Sequence, residues 1–164
     1  MWFAANVSVD KDFRLAMRNV AAPVSIVTTY ADGEPLGTTV SAFDSLSMEP
    51  PMMTVALQVG SFLLGRLTIG QPIGINVLGD AQEPLAMAFA RRGEDRFGGV
   101  AWELVDGAPQ LPGVHAWIAL KVREMVRGGD HVVVVGDVVA ARQGIGRPLV
   151  YHDRVFGGHL PLED

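Results

Sequence analysis

The sequence has no cysteine. That one absence excludes disulfides, thiolate metal sites and cysteine nucleophiles. Charge is also sparse: 19% of the 164 residues are charged, against 49% hydrophobic. The net charge is −5, which excludes a nucleic-acid partner held by phosphate neutralisation. Long apolar runs are missing, because glycine, proline or charge interrupts each one before it could cross a bilayer. This reads as no membrane partner. The start, MWFAANVSVDKDF, lacks a basic segment followed by an apolar core, which points to a cytoplasmic protein. The four histidines, His115, His131, His152 and His159, show no paired metal-ligand spacing such as HExxH, so no metal is expected. No serine sits in a GxSxG setting, and neither GxxxxGK[ST] nor GxGxxG occurs between a strand and a helix. A hydrolase triad, a phosphate loop and a Rossmann dinucleotide site are all unsupported.

What is present is concentrated in Gly37 to Pro51, GTTVSAFDSLSMEPP. Hydroxyl side chains alternate there with Val40, Ala42, Phe43 and Leu46. Alternation of this kind puts one face on a core and the other on a polar site, and small residues admit a flat ligand close to the backbone. The same composition also fits an ordinary half-buried strand with a Ser/Thr-rich turn. The apolar surplus of the whole chain implies surface buried against another subunit, with a twofold homodimer as the commonest form.

Residues 1–8 read as a loose leader whose Trp2 and Phe3 dock on a neighbour. A helix from Ser8 or Asp10 follows, with Phe13, Ala16, Met17 and Val20 at helical spacing. Strands are expected at Val24–Tyr30, Pro35–Phe43, Met52–Val59, Ile73–Leu78, Val114–Val126, His131–Ala141 and Pro148–His152. Short helices are expected over Ser61–Ile69, capped by Ser61, and from Pro84 to Ala90. Arg91 to Gly99 reads as a loop over something. Without a repeating strand–helix–strand rhythm, the pattern predicts a mainly β, antiparallel barrel with a few short helices, a single domain over residues 1–164. Polar residues punctuate the strand ends: Ser61, Arg91 with Arg92 and Arg96, the Gly-Gly-Asp-His turn, and Tyr151 to Arg154. Each also has a plain structural explanation, as a strand end, a solvated face or a cross-strand aromatic.

Several of these segments, in order, resemble one family. Gly37-Thr38-Thr39-Val40-Ser41-Ala42-Phe43 followed by Ser45-Leu46-Ser47 and Pro50-Pro51 resembles the flavin-binding signature of the short-chain flavin reductases. These are the small components of two-component flavin-dependent monooxygenases. Asn76-Val77-Leu78, Phe89-Ala90 with Arg96-Phe97, Gly129-Asp130-His131, and Leu149-Val150-Tyr151-His152 with Phe156 continue the likeness over roughly Asp12 to Phe156.

The resemblance implies a dimeric FMN-binding split barrel that reduces FMN or FAD with NADH or NADPH for a separate flavin-dependent monooxygenase. By the same resemblance, Gly37 opens the binding segment and Thr38 to Ala42 run along the isoalloxazine edge. Ser45, Leu46 and Ser47 hold the ribityl and phosphate end. Gln58, Val59, Ser61 and Phe62 flank it, and Ala90 and Arg91 complete the pocket, Arg91 as an anion clamp. His131, Tyr151, His152, Asp153 and Arg154 resemble the nicotinamide side, with His131 positioning the nucleotide. Rival readings are a pyridoxamine-phosphate-oxidase-like enzyme and a non-catalytic flavin- or haem-binding barrel.

Overall fold

The computed structural model describes residues 7–93 and 95–162. Helix α1 (Val7–Arg18) leads into five strands: β1 (Ala22–Pro23), β2 (Ser25–Ala31), β3 (Glu34–Val40), β4 (Phe43–Met48) and β5 (Pro51–Gln58). A 3-10 turn at Leu64–Arg66 precedes β6 (Pro72–Val77), and a second at Asp80–Gln82 runs into α2 (Glu83–Ala90), with Pro84 in its first turn. The chain closes with β7 (Glu103–Val105), β8 (Ala108–Gln110), β9 (Ala116–Gly128), β10 (His131–Gln143), β11 (Leu149–His152) and β12 (Val155–Gly158).

The main sheet has seven strands in the order β3-β2-β6-β9-β10-β5-β4, antiparallel throughout. Its two outermost strands, β3 and β4, are consecutive in the chain, joined by Ser41 and Ala42 alone. The sheet must therefore curl until its edges meet at that link, where the Ala56 N–H donates to the Ala42 carbonyl at 2.8 Å. Away from the link the edges part. The result is a mainly β, antiparallel split barrel.

Strand β2 is buried on both sides. Val27 joins the interior cluster with Val55, Leu57, Ile73, Ile75 and Leu120, while Ile26 joins the outer one with Phe89, Leu111 and Trp117 under α2. Burial on both faces explains a continuous SIVTTY run in place of alternation. The hydroxyls are satisfied: Thr28 donates to the Pro109 carbonyl at 2.6 Å and Thr29 to the Pro72 carbonyl at 2.8 Å. Gly37 is required by close packing, since a Cβ there would lie 2.8 Å from the Phe89 ring.

Several sequence expectations change. The strand expected over Pro35–Phe43 divides, because the chain leaves β2 after Val40 and Phe43 starts pairing with Val55 on β5. Ser45 to Ser47, outside the expected strands, lie in β4. The helix expected over Ser61–Ile69 is only the 3-10 turn at Leu64–Arg66, with glycine at its centre. Strands β1, β4, β7, β8 and β12 were not expected. Of the leader, Val7 and Ser8 belong to α1, and residues 1–6, with Trp2 and Phe3, lie outside the described residues.

Candidate functional site

The split of the barrel opens into a cleft of about 710 Å³. Thr38, Thr39, Val40, Ser41 and Ala42 form one wall, and Gln58, Val59, Ser61 and Phe62 contribute to the rest. Ala90, at the end of α2, and His131, at the start of β10, also line it. An edge strand supplies unpaired backbone groups. The Gly37 carbonyl is turned outward, because it accepts a hydrogen bond from Arg96 Nη1 at 2.7 Å. By the two-residue alternation of an antiparallel strand, the Thr39 N–H and C=O face that same open edge. The Thr39 hydroxyl donates to the Ala86 carbonyl at 2.6 Å and fixes α2 against this wall.

The electrostatics of the cleft oppose those of the chain. Arg92, Arg96 and His131 line it, and no carboxylate does among the described residues, although the net charge is −5. Burial lowers the pKa of Arg96 from its usual value, a sign that its guanidinium has lost water. Ser61 Oγ accepts the Leu64 N–H at 3.1 Å and retains its own O–H to donate.

The His131 position follows from a tight hairpin. Gly129, at φ 63°, occupies the left-handed region that a two-residue connection between β9 and β10 requires. The turn sets Asp130 directly beside His131, and His131 pairs across the sheet with Gln58. Asp130 Oδ1 lies 2.8 Å from His131 Nδ1. The hydrogen bond with His131, and then its charge, hold the Asp130 carboxyl below its usual range, with a further contribution from Arg14 on α1.

Other sequence-predicted residues fall elsewhere in the single chain. Gly37 lines a neighbouring cavity. Ser45, Leu46 and Ser47 are on β4, outside the residues lining the cleft. Arg91 does not line the cleft, whereas Arg92 and Arg96 of the same loop do. Tyr151, Asp153 and Arg154 line a groove against α1, with Phe13 and Met17. Arg18 pairs there with Asp153 at 2.8 Å, and His152 is on the adjoining strand β11. The arginines of the 91–99 loop were visible as a cluster, but a loop has no period to say which of them turns inward.

The cleft combines an open backbone edge, small side chains and two guanidinium groups. These fit a flat hydrogen-bonding ring that carries phosphate.

Comparison with known proteins gives the same direction. A family model described as "Flavin reductase like domain" matches residues 17–159. An NADH:FMN oxidoreductase of Rhodococcus qingshengii is 32% identical over 158 residues, covering 92% of this chain and 82% of that protein. The reductase component of a 4-nitrophenol 4-monooxygenase/4-nitrocatechol 2-monooxygenase from Rhodococcus opacus is 36% identical over 153 residues, covering 93% and 83%. Among solved structures, an NADH:FAD oxidoreductase of Streptomyces globisporus C-1027, in complex with NAD and FAD fragments, superposes with a TM-score of 0.88. It is 26% identical, and the match covers 99% of this chain and 100% of that one.

Proposed function

The chain belongs to the flavin reductase like domain family, and on that premise we propose that it is an NAD(P)H:flavin oxidoreductase built as a single domain. It reduces FMN or FAD with NADH or NADPH and supplies the reduced flavin to a separate monooxygenase. The observation that carries this reading is the arginine-lined cleft at the split of an otherwise acidic chain, with no carboxylate among its described lining residues.

Flavin, when bound, supplies a ring nitrogen that accepts hydride from a reduced nicotinamide. The work left to the protein is binding and alignment, which that transfer needs more than an acid or base. Thr38 to Ala42 present the backbone edge, and the Thr39 N–H is a fixed donor for a ring oxygen or nitrogen that gains charge on reduction. Arg92 and Arg96 take the phosphate end, with Ser61 as a neutral donor beside them. Val40, Ala42 and Phe62 exclude water from the ring. His131 positions the nicotinamide. Its Nδ1 faces Asp130, and with Nδ1–H donating to that carboxylate the other ring nitrogen is left for the ligand.

A homodimer extends the reading. Val9, Phe13, Met17 and Val20 of α1 and its exit are largely exposed in the single chain, a stripe that a second copy would cover. Tyr151 to Arg154 flank that helix, so the nicotinamide role given to them depends on how the copies pack. No helix among the described residues is long and apolar enough to cross a membrane. A cytoplasmic place suits a protein that draws on the soluble nicotinamide pool.

The test is steady-state oxidation of NADH and NADPH with and without added free FMN or FAD. The reading predicts nucleotide oxidation that saturates with added flavin. Oxidation independent of added flavin, or none with any of the four combinations, would overturn it.

A further inference from the structure

A separate cavity, of about 440 Å³, forms where the β7–β8 hairpin meets the start of β9 and the end of β10. It shares no described lining residue with the arginine-lined cleft. The buried Leu111, Val114 and Trp117 give it an apolar base, and the half-buried Trp102 adds an aromatic wall.

The polar lining is held in place by one carboxylate. A two-residue turn, Asp106 at φ 52° and Gly107 at φ 86°, closes the hairpin. Asp106 Oδ2 accepts from Arg142 Nη1 at 2.9 Å and from Trp117 Nε1 at 3.3 Å. Arg142 and Trp117 are cross-strand partners on β10 and β9, so Asp106 fixes both at once. Arg142 keeps its other guanidinium donors, which meet no acceptor among the described residues. Glu103 stands opposite Gln110 across the hairpin, so the two side chains share a face of it. Its carboxylate has no ion-pair partner among the described residues.

The charged side chains of the described lining are therefore one cation and one anion. In the cleft, by contrast, Arg92, Arg96 and His131 meet no carboxylate among the described lining residues. A polyphosphate gains little at a balanced site, because Glu103 repels what Arg142 attracts. A ligand that carries both charges satisfies both groups.

We infer that this cavity binds a small amphoteric molecule with an aromatic body, of the aromatic amino acid class. Its carboxylate accepts from Arg142, its ammonium donates to Glu103, and its ring lies against Trp102 and the apolar base. The volume is within the range of small-molecule sites. Flavin and nicotinamide nucleotides are net anions, so this ligand is distinct from those of the cleft, and the inference does not rest on the reductase reading.

The experiment is an NMR titration of the full-length protein, followed at the Trp102 indole N–H resonance, which is assigned by its loss in Trp102→Phe. The probes are L-phenylalanine, 3-phenylpropanoate, which lacks the ammonium, and 2-phenylethylamine, which lacks the carboxylate. One charge-assisted contact corresponds to about tenfold or more in affinity. L-Phenylalanine should shift the resonance saturably and bind about tenfold more tightly than either fragment. Arg142→Gln should weaken L-phenylalanine to the level of 2-phenylethylamine and leave the amine unchanged. Glu103→Gln should weaken it to the level of 3-phenylpropanoate and leave the acid unchanged. Glu103 is exposed and unpaired among the described residues, so that variant keeps the test valid if Arg142→Gln, which loses the Asp106 pair, does not fold. No saturable shift with any probe refutes the site. A fragment that binds as tightly as L-phenylalanine, or L-phenylalanine binding that neither variant changes, refutes the paired recognition by Arg142 and Glu103.

Discussion

Arg96→Met removes a charge from the cleft while keeping an unbranched side chain of similar reach. In the native protein Arg96 is partly withdrawn from water, which lowers its pKa, and one of its N–H groups already serves the Gly37 carbonyl at 2.7 Å. Arg96 lines the cleft, so its remaining guanidinium donors are available to a phosphate bound there. A hydrogen bond to a charged partner contributes about 1.5–3 kcal/mol, so removing it should weaken FMN by roughly 10- to 150-fold, with about 30-fold as the central value. Riboflavin has the same ring and ribityl chain but no phosphate, and its affinity should change by less than about threefold. The lost bond to Gly37 costs about 1 kcal/mol, a fall in Tm of about 2–4 °C, because the edge carbonyl can be rehydrated. Parallel fluorescence titrations of FMN and riboflavin decide the matter. If the variant weakens both ligands equally, Arg96 acts only by holding its loop. If it weakens neither, the phosphate sits elsewhere.

Three further predictions use the same geometry. His131→Ala should raise the KM for the nicotinamide nucleotide about tenfold or more while the flavin Kd stays within about threefold, because the residue positions one ligand and not the other; selective loss of flavin binding would contradict that role. The Asp130 carboxyl, followed by carbon NMR, should titrate below the ordinary value of about 3.9 and move back up toward it in His131→Ala. The sign follows from the lowered folded-state value: the Asp130–His131 contact contributes above the unfolded pKa and is lost as pH falls through the folded one. Phe13→Glu places a charge on the exposed α1 stripe and should shift a homodimer to monomer in sedimentation or size-exclusion measurements, whereas an unchanged mass would place the interface away from α1.

The parts of the fold that were legible in the sequence were those with a long, uniform physical signal. Val24–Tyr30 and His131–Ala141 are rich in β-branched residues over a full strand length, and both became central strands of the main sheet. Pro84 marked the first turn of α2 because proline costs little there. Strand β4 was hidden, since Asp44, Ser45 and Ser47 carry turn propensity and only pairing with β5 overrides it. The strands β7 and β8 are three residues each, too short for any alternation to show.

The cleft was half legible. The hydroxyl-rich run from Thr38 to Ala42 announced a polar wall by its composition, and Gln58 and His131 are set side by side by the register of β5 and β10. Which arginine of the 91–99 loop turns inward depends on tertiary contacts, above all the Arg96 bond to Gly37. Gly37 itself answers to the Phe89 ring behind it.

The central claim is catalytic hydride transfer to flavin, and the most direct measurement is anaerobic. A trace of protein is mixed with excess FMN or FAD and one equivalent of NADH or NADPH, and the oxidised flavin absorbance is followed. The account predicts complete bleaching, one flavin reduced per nucleotide oxidised, with many turnovers per protein. Bleaching limited to one equivalent of flavin per protein, or none, would contradict it.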